Sequence, residues 1–516
     1  MRDLESPYIS LSNYVRYRKE YFGGILFNTS TGTIMEVDRD AYLLVELIKT
    51  RGVVDTNDLD MLWLEVYDRH INRREVIKIV EKLLVLKILV VMPYGRLNEG
   101  LGGLLKYREK GTINWPSTQV ISAPETVHWA VTLQCDLDCP DCYVRRHRAD
   151  FPEELDTKQA LEVIDRIADA GVFQLALGGG EPLLREDITS LIARAHERNL
   201  AVHITTGRYW HEPHAFREIS KYINSMQIGI KHEELRAQPE MEKEKLTQLI
   251  AMAGEVGIDI GANLILSNAT LSDFKFIIEL LAEAGFKRIT LLRYKPPGNI
   301  NRWRKENPDE DTLLEFERRL PGIVDAYPQI QFRVDCGLAF LERNLPGPTA
   351  LRHGIKGCSA AARIMSIAPD GSIFPCSQLI GKKFYAGNML EDDLKSIWIN
   401  SKVLIKYRNI RTNKAFKNSP CGQCAAKSQC GGCRVFAEDA LGGDQGCPAP
   451  ILSAAKLKKY GKEELSDIIM DIQESIGATD GGCPYVSFEE IRGWLEAENA
   501  YGYPQWLIKN SIKGES

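Results

Sequence analysis

The sequence predicts an α/β fold. A parallel sheet, open or curled as a partial barrel, is flanked by a small winged-helix-like module before it and a cysteine-rich module after it. Three observations carry this prediction. Between about residues 125 and 300, six strand-like apolar runs alternate with helical runs. Residues 1 to about 95 instead show short strand and helix patterns, with no cysteine. Eight of the twelve cysteines lie between Cys336 and Cys447, where helical periodicity weakens. A chain of 516 residues exceeds one ordinary core, so several domains are expected.

The N-terminal module is predicted over 1–95. In FGGILFNTSTGTIMEV the apolar positions alternate around Thr31-Gly32, a hairpin signal. DRDAYLLVELIKTRG reads as a helix, with Asp38 as N-cap and Gly52 after its end. RREVIKIVEKLLVLKILVVM reads as a helix running into a strand. Residues 96–122 form a predicted linker, because Pro93 to Pro116 is rich in Gly and Pro.

The barrel is predicted over 123–320. Its strands are His128 to Leu133, Phe173 to Leu177, Ala201 to Thr205, Ser225 to Ile230, Asp259 to Leu266 and Arg288 to Arg293. Helical runs such as TKQALEVIDRIADAG, with Leu161, Ile164 and Ile167 on one face, and DITSLIARAHERN lie between them. In such folds, loops beyond the carboxyl ends of the strands carry the chemistry. The cysteine-rich module spans 335–450 and has too little apolar periodicity for a core without metal. A helical extension is predicted over 451–516, with runs at Lys462 to Ile476 and Phe488 to Asn499.

Net charge is −5 and the isoelectric point near 6.1, which gives no support for nucleic-acid binding. No window is apolar enough to span a membrane, and the N-terminus shows no signal-peptide pattern. A cytoplasmic protein is expected, where clustered cysteines are metal ligands or redox groups rather than disulfides.

The chemistry-bearing motif follows the first barrel strand. LQCDLDCPDCYVRR places Cys135, Cys139 and Cys142 as C-x3-C-x2-C. A structural tetrahedral site needs four ligands. Either a fourth lies elsewhere or one metal position is open. QLALGGGEPLLRED follows the second strand, ITTGRY ends the third and LLRYKPPGN ends the sixth. This set, in this order, resembles the radical S-adenosylmethionine superfamily, whose fold is a partial, TIM-like (β/α)6 barrel. The resemblance implies a 4Fe-4S cluster on the three cysteines, whose free iron binds S-adenosylmethionine and whose electron releases a 5′-deoxyadenosyl radical. It also implies cofactor binding by Gly179, Gly180 and Glu181, by Tyr143, by Thr206 (where relatives have Asn) and by Arg293, within reach of the cofactor carboxylate. Two departures stand out. Asp141 occupies a position that is often aromatic in relatives, and MQIGIKHEE lacks their polar strand ending.

The second cysteine field comprises Cys358, Gly371 and Cys376 as C-x12-G-x4-C, then Cys421, Cys424, Cys430, Cys433 and Cys447. On spacing alone, C-x2-C pairs also suit a zinc ribbon. The field resembles the SPASM extension, here with a Cys-Gly-Gly-Cys-Arg variant. That resemblance implies two auxiliary 4Fe-4S clusters, three in all. Cys358, Cys376 and Cys433 would hold the first, and Cys421, Cys424, Cys430 and Cys447 the second. The fourth ligand of the first is either Cys336 or an open iron, and Cys483 is a bystander thiol.

The N-terminal module resembles the leader-recognition element of enzymes that modify ribosomally made peptides, which binds a leader as an added strand. The expected function is therefore a peptide maturase. Its partners would be a precursor peptide with a leader and a reductant such as ferredoxin or flavodoxin. Its product would be a thioether, a carbon–carbon crosslink or a cleaved backbone. The alternatives are a radical enzyme of cofactor or haem-type biosynthesis, and a non-catalytic iron–sulfur electron-transfer or zinc-scaffold protein.

Overall fold

The computed structural model describes residues 8–92, 114–151, 153–208, 213–296, 300–344, 357–419, 421–423, 431–437 and 440–444. The helices expected in 451–516, and Cys424, Cys430, Cys447 and Cys483, lie outside these residues. The chain divides into two compact units, Met1–Ser122 and Ala123–Ser516.

In the first unit, β1 (Tyr8–Leu11), β5 (Val53–Asp55) and β6 (Leu89–Val91) form one antiparallel sheet in the order β5-β1-β6. β2 (Val15–Glu20), β3 (Gly23–Asn28) and β4 (Thr33–Asp38) form a second, in the order β2-β3-β4. The expected hairpin is the β3–β4 pair, with Asn28 opposite Thr33. The helix Arg39–Arg51 starts where Asp38 accepts from the Ala41 amide at 2.8 Å. It stops at Gly52, whose φ of 78° few other residues adopt. Its Leu44, Val45, Leu47 and Ile48 are buried with Trp63 and Ile9. Helices Leu59–Tyr67 and Arg73–Val85 complete the unit. The sequence reading missed β1, β5 and the Leu59–Tyr67 helix, because three- or four-residue strands and a short capless helix leave little periodicity, and it missed β2, whose VRYRKE is mostly charged. Part of the expected linker packs back on this unit. Trp115 stacks edge-on against Tyr42, and the Ser122 amide donates to the buried Glu20 carboxylate at 2.8 Å.

The second unit is built on a ten-stranded sheet. β7 (Thr126–Thr132), β8 (Gln174–Gly179), β9 (Ala201–Thr206), β10 (Ser225–Gly229), β11 (Asp259–Leu266), β12 (Arg288–Arg293) and β13 (Gln331–Val334) follow one another in parallel. Six of these are the expected strands; β13 is an addition. The helix Thr157–Asp169 starts at an Asp156/Gln159 capping box and buries Ala160, Val163, Ile164 and Ile167. Leu161, expected on that face, is only half-buried. The cysteine-rich region continues the same sheet. β14 (Ile364–Ile367) pairs in parallel with β7, and β15 (Ser372–Phe374) and β16 (Gly387–Asn388) follow antiparallel. Gly371 makes the β14–β15 turn at φ 84°, which accounts for a glycine in the C-x12-G-x4-C spacing. The sheet therefore brings the cysteine field to the flank of the first barrel strand. No helix among the described residues is long and apolar enough to cross a membrane.

Candidate active site

The loop after β7 is fixed by the strand beside it. Its first residues are held by Glu154, which accepts from the Thr132 hydroxyl at 2.8 Å and the Leu133 amide at 3.0 Å. From β8, the Gly180 amide donates to Thr132 O and the Glu181 amide to Gln134 O, both at 2.8 Å. That approach demands glycine. A Cβ on Gly179 would sit 2.2 Å from Thr132 O, and one on Gly180 would sit 2.1 Å from Gln134 O. The Gly-Gly pair thus lets two backbones touch, and so sets where the cysteine loop begins.

Each aspartate between the cysteines meets an arginine. Asp136 pairs with Arg208, and Asp138 with Arg145. Asp141 accepts from Arg302 Nε at 2.8 Å and from the buried Tyr294 hydroxyl at 2.5 Å. Arg302 also donates to Glu233 at 2.7 Å. The non-aromatic residue before Cys142 therefore has its own anchor, assembled from Tyr294 just after β12 and from the helices Ile300–Glu306 and His232–Ala237. The three thiols are half-buried. Burial pushes the Cys139 thiol up, Lys231 opposes it, and the thiols of Cys142 and Cys135 add to the rise. Soft thiolate donors such as these suit iron and zinc.

Glu181 is fully buried, and its carboxylate has protein partners. It accepts from the Thr206 hydroxyl at 2.8 Å, the Gly207 amide at 3.0 Å and the Leu183 amide at 3.1 Å. Burial raises its pKa, and these donors oppose the rise. Thr206 also accepts from the Arg208 amide at 3.0 Å, so β8 and β9 end in one hydrogen-bonded knot beside the cysteine loop. Tyr143 lies between the two cysteine fields. Burial pushes its hydroxyl up to about 12; Cys376 and Cys142 act on it, and it bonds Ser377.

Arg293 ends β12, and its side chain is buried. Its guanidinium is bidentate to Asp444, at 2.6 and 3.0 Å, and lies 3.6 Å from the centre of the Phe436 ring. Asp444 in turn accepts from the Cys433 amide at 2.9 Å, and its own amide donates to Cys421 Sγ at 3.2 Å. The end of β12 adjoins β13 and the loop after it, so Arg293 faces the auxiliary cysteines.

Cys336 and three thiols of the second field lie within electrostatic reach of one another. Cys336 follows β13, Cys376 follows β15, and Cys358 and Cys433 come from loops. Burial pushes Cys336 well up, and Cys433, Asp335 and Cys358 add to it. Burial lifts Cys376 to about 11 and Cys433 to about 12, with Cys358 adding to both. Among the described residues, no three His, Cys, Asp or Glu side chains group tightly enough for a single ion. An all-thiol donor set suits an iron–sulfur cluster. Cys421 is buried beside Asp444, which also accepts from the Cys433 amide.

Sequence reading missed Lys295, Asp335, Asp444 and Arg302. Lys295 pairs with Asp335, and burial of its ammonium, which lowers the pKa, is outweighed by Asp335 and the thiols of Cys433 and Cys336. A faint signal existed: Lys295 stands two residues from Arg293, on the same side of an extended strand end.

Two family models match. Residues 129–281 match the Radical SAM superfamily, and residues 358–430 match SPASM, an iron-sulfur cluster-binding domain. Among curated relatives, AdoMet-dependent heme synthase of Methanosarcina barkeri is 25% identical over 343 residues, covering 62% of this chain and 94% of its own. Mycofactocin maturase MftC of Mycobacterium tuberculosis is 26% identical over 326 residues, covering 61% and 79%. PqqA peptide cyclase of Granulibacter bethesdensis is 28% identical over 355 residues, covering 65% and 89%. Among solved structures, Streptococcus suis SuiB bound to S-adenosylmethionine shares the fold at TM-score 0.58 and 20% identity, over 83% of this chain and 96% of its own. SuiB bound to its precursor peptide SuiA matches at TM-score 0.56 and 18% identity, over 85% and 99%. The glycine-buttressed three-cysteine loop, the sheet that carries it and both family matches agree: this chain carries a radical S-adenosylmethionine domain and a SPASM iron–sulfur cluster-binding domain.

Proposed function

We propose that this chain is a maturase of a ribosomally made precursor peptide. The observation that carries the reading is the joining of two cysteine fields by one sheet, with β14 beside β7, which sets a radical-forming loop next to auxiliary thiols. Maturases of this kind are among its relatives, and SuiB, a fold relative, has been solved with a precursor peptide. When bound, the first cluster and S-adenosylmethionine supply a 5′-deoxyadenosyl radical. The residues of the chain hold the parts. Cys135, Cys139 and Cys142 ligate the first cluster. Gly180, Glu181, Thr206 and Tyr143 shape the pocket for the nucleoside cofactor. Cys336, Cys358, Cys376 and Cys433 hold the first auxiliary cluster. Cys421 joins Cys424, Cys430 and Cys447 on the second. The product is a thioether, a carbon–carbon crosslink or a cleaved backbone, and a small donor such as ferredoxin or flavodoxin supplies the electron, in the cytoplasm.

The N-terminal unit supports a peptide substrate. We assign it as a winged-helix-like recognition element. β2 and β4 are the outer strands of a three-stranded antiparallel sheet, and an extended leader can add to such an edge through main-chain hydrogen bonds.

The test is anaerobic. The reduced protein should form 5′-deoxyadenosine, and a precursor peptide encoded beside it should change mass in step. Cys139→Ala should abolish both. No cleavage of S-adenosylmethionine by the reduced, iron-loaded protein would reject the enzyme. The cluster count has its own check. Three clusters give about twelve irons per chain, and Cys336→Ala should leave about eight. Full iron with an unaltered auxiliary electron paramagnetic resonance (EPR) spectrum would reject Cys336 as a ligand.

A second reading is favoured by the 25% identity to heme synthase, which rests on 62% of this chain. It predicts turnover of a tetrapyrrole without any peptide, and an N-terminal unit dispensable for that turnover.

A further inference from the structure

The end of β12 carries two cations, Arg293 and Lys295, each paired with a carboxylate that belongs to the auxiliary cysteines. Lys295 donates to Asp335 Oδ2, and both side chains are 14% exposed. The other oxygen, Asp335 Oδ1, accepts from the Gly337 amide at 2.8 Å. Asp335 Oδ2 also accepts from the Arg293 amide at 3.3 Å, and Leu338 N bonds Asp335 O at 2.9 Å. Asp335 therefore clamps the turn that holds Cys336, and Lys295 clamps Asp335. The Lys295 ammonium lies close enough to act on the thiols of Cys336, Cys376 and Cys433.

We propose that the Lys295–Asp335 ion pair is the electrostatic setting of the first auxiliary cluster: it fixes the Cys336 turn and sets the reduction potential of the cluster those four cysteines hold. The inference rests on the cluster assignment above. Reduction adds a negative charge to a centre that four thiolates already make anionic. A fixed cation beside it favours that step and a fixed carboxylate opposes it, strongly so away from water. Lys295 and Asp335 are positioning residues that act through charge and through the turn. Their effects on potential have opposite sign, which a purely structural role cannot mimic.

The experiment uses the full chain with Cys135, Cys139 and Cys142 replaced by Ala, so that only auxiliary clusters remain. Potentials are read by EPR-monitored redox titration, with iron measured in every sample. Lys295→Met should move one of the auxiliary potentials to a more negative value, and Asp335→Asn should move the same one to a more positive value. The double variant should return close to the parent, and Lys295→Arg should stay near it. Shifts of the same sign, or no shift at parental iron content, would overturn the proposal. If Lys295→Met fails to hold auxiliary iron, Asp335→Asn decides alone, and a potential that does not rise overturns the proposal. A parent without auxiliary iron would overturn both this inference and the cluster assignment.

Discussion

Gly180→Ala isolates the contact that places the cysteine loop. The new Cβ would lie 2.1 Å from Gln134 O, more than 1 Å inside ordinary van der Waals contact, and 2.7 Å from both Leu133 C and O. All three atoms are backbone, so no side chain can swing away. Either β8 or the loop must move, and the 2.8 Å bonds from Gly180 and Glu181 to that loop move with it. Overpacking of this kind costs about 1–3 kcal/mol. A displacement of about 1 Å at the reacting geometry costs on the order of 100-fold in rate. Gly178, two positions earlier on the same strand, is the control, since a Cβ there meets nothing within 4 Å. The assays are thermal unfolding of the anaerobic protein, iron content and 5′-deoxyadenosine formation at saturating S-adenosylmethionine. Gly180→Ala should lose stability and most cleavage, whereas Gly178→Ala should keep parental stability and iron. Equal behaviour of the two variants would refute the argument that backbone approach, rather than strand propensity, requires the glycine.

Arg293→Gln should destabilise the second unit by about 3–5 kcal/mol in denaturant unfolding, because it strands a carboxylate that is 3% exposed; Arg293→Lys should lose less, and a neutral Arg293→Gln would contradict a buried pair. Asp38→Ala removes the cap on the Arg39–Arg51 helix and should cost about 1 kcal/mol, with faster amide exchange in its first turn as the readout. Burial raises the Glu181 carboxyl, so the folded chain keeps that proton where the unfolded chain has lost it. Stability from this group is therefore lost as pH rises from the ordinary carboxylate range through the raised value. Glu181→Gln should gain on the parent as pH rises through that window; a pH-independent difference in melting temperature would show that the carboxyl does not titrate there.

Several elements were legible because local chemistry decides them. The six barrel strands were readable as apolar runs between helical patterns, and all six start and end within two residues of their expected bounds. Asp38 and Gly52 announced a cap and a stop through side-chain bonding and backbone freedom alone. β13 and β14 were not legible. Four-residue strands such as QFRV and IMSI carry almost no period, and only pairing with β12 and β7 makes them strands.

By itself, the sequence determined which residues can do chemistry. Three closely spaced thiols, a Gly-Gly-Glu turn and a second cysteine field restrict the donors to soft sulfur, whatever the fold. The tertiary structure decided who meets whom. It turned Arg293 toward Asp444, enclosed Glu181 with Thr206, anchored Asp141 on Tyr294 and Arg302, and set Lys295 against Asp335 beside Cys336. These partners lie from 25 to 161 residues apart in the chain. Donor identity is a local property of the side chain, whereas charge pairing depends on distance in space, which a parallel sheet sets only once all its strands are in register.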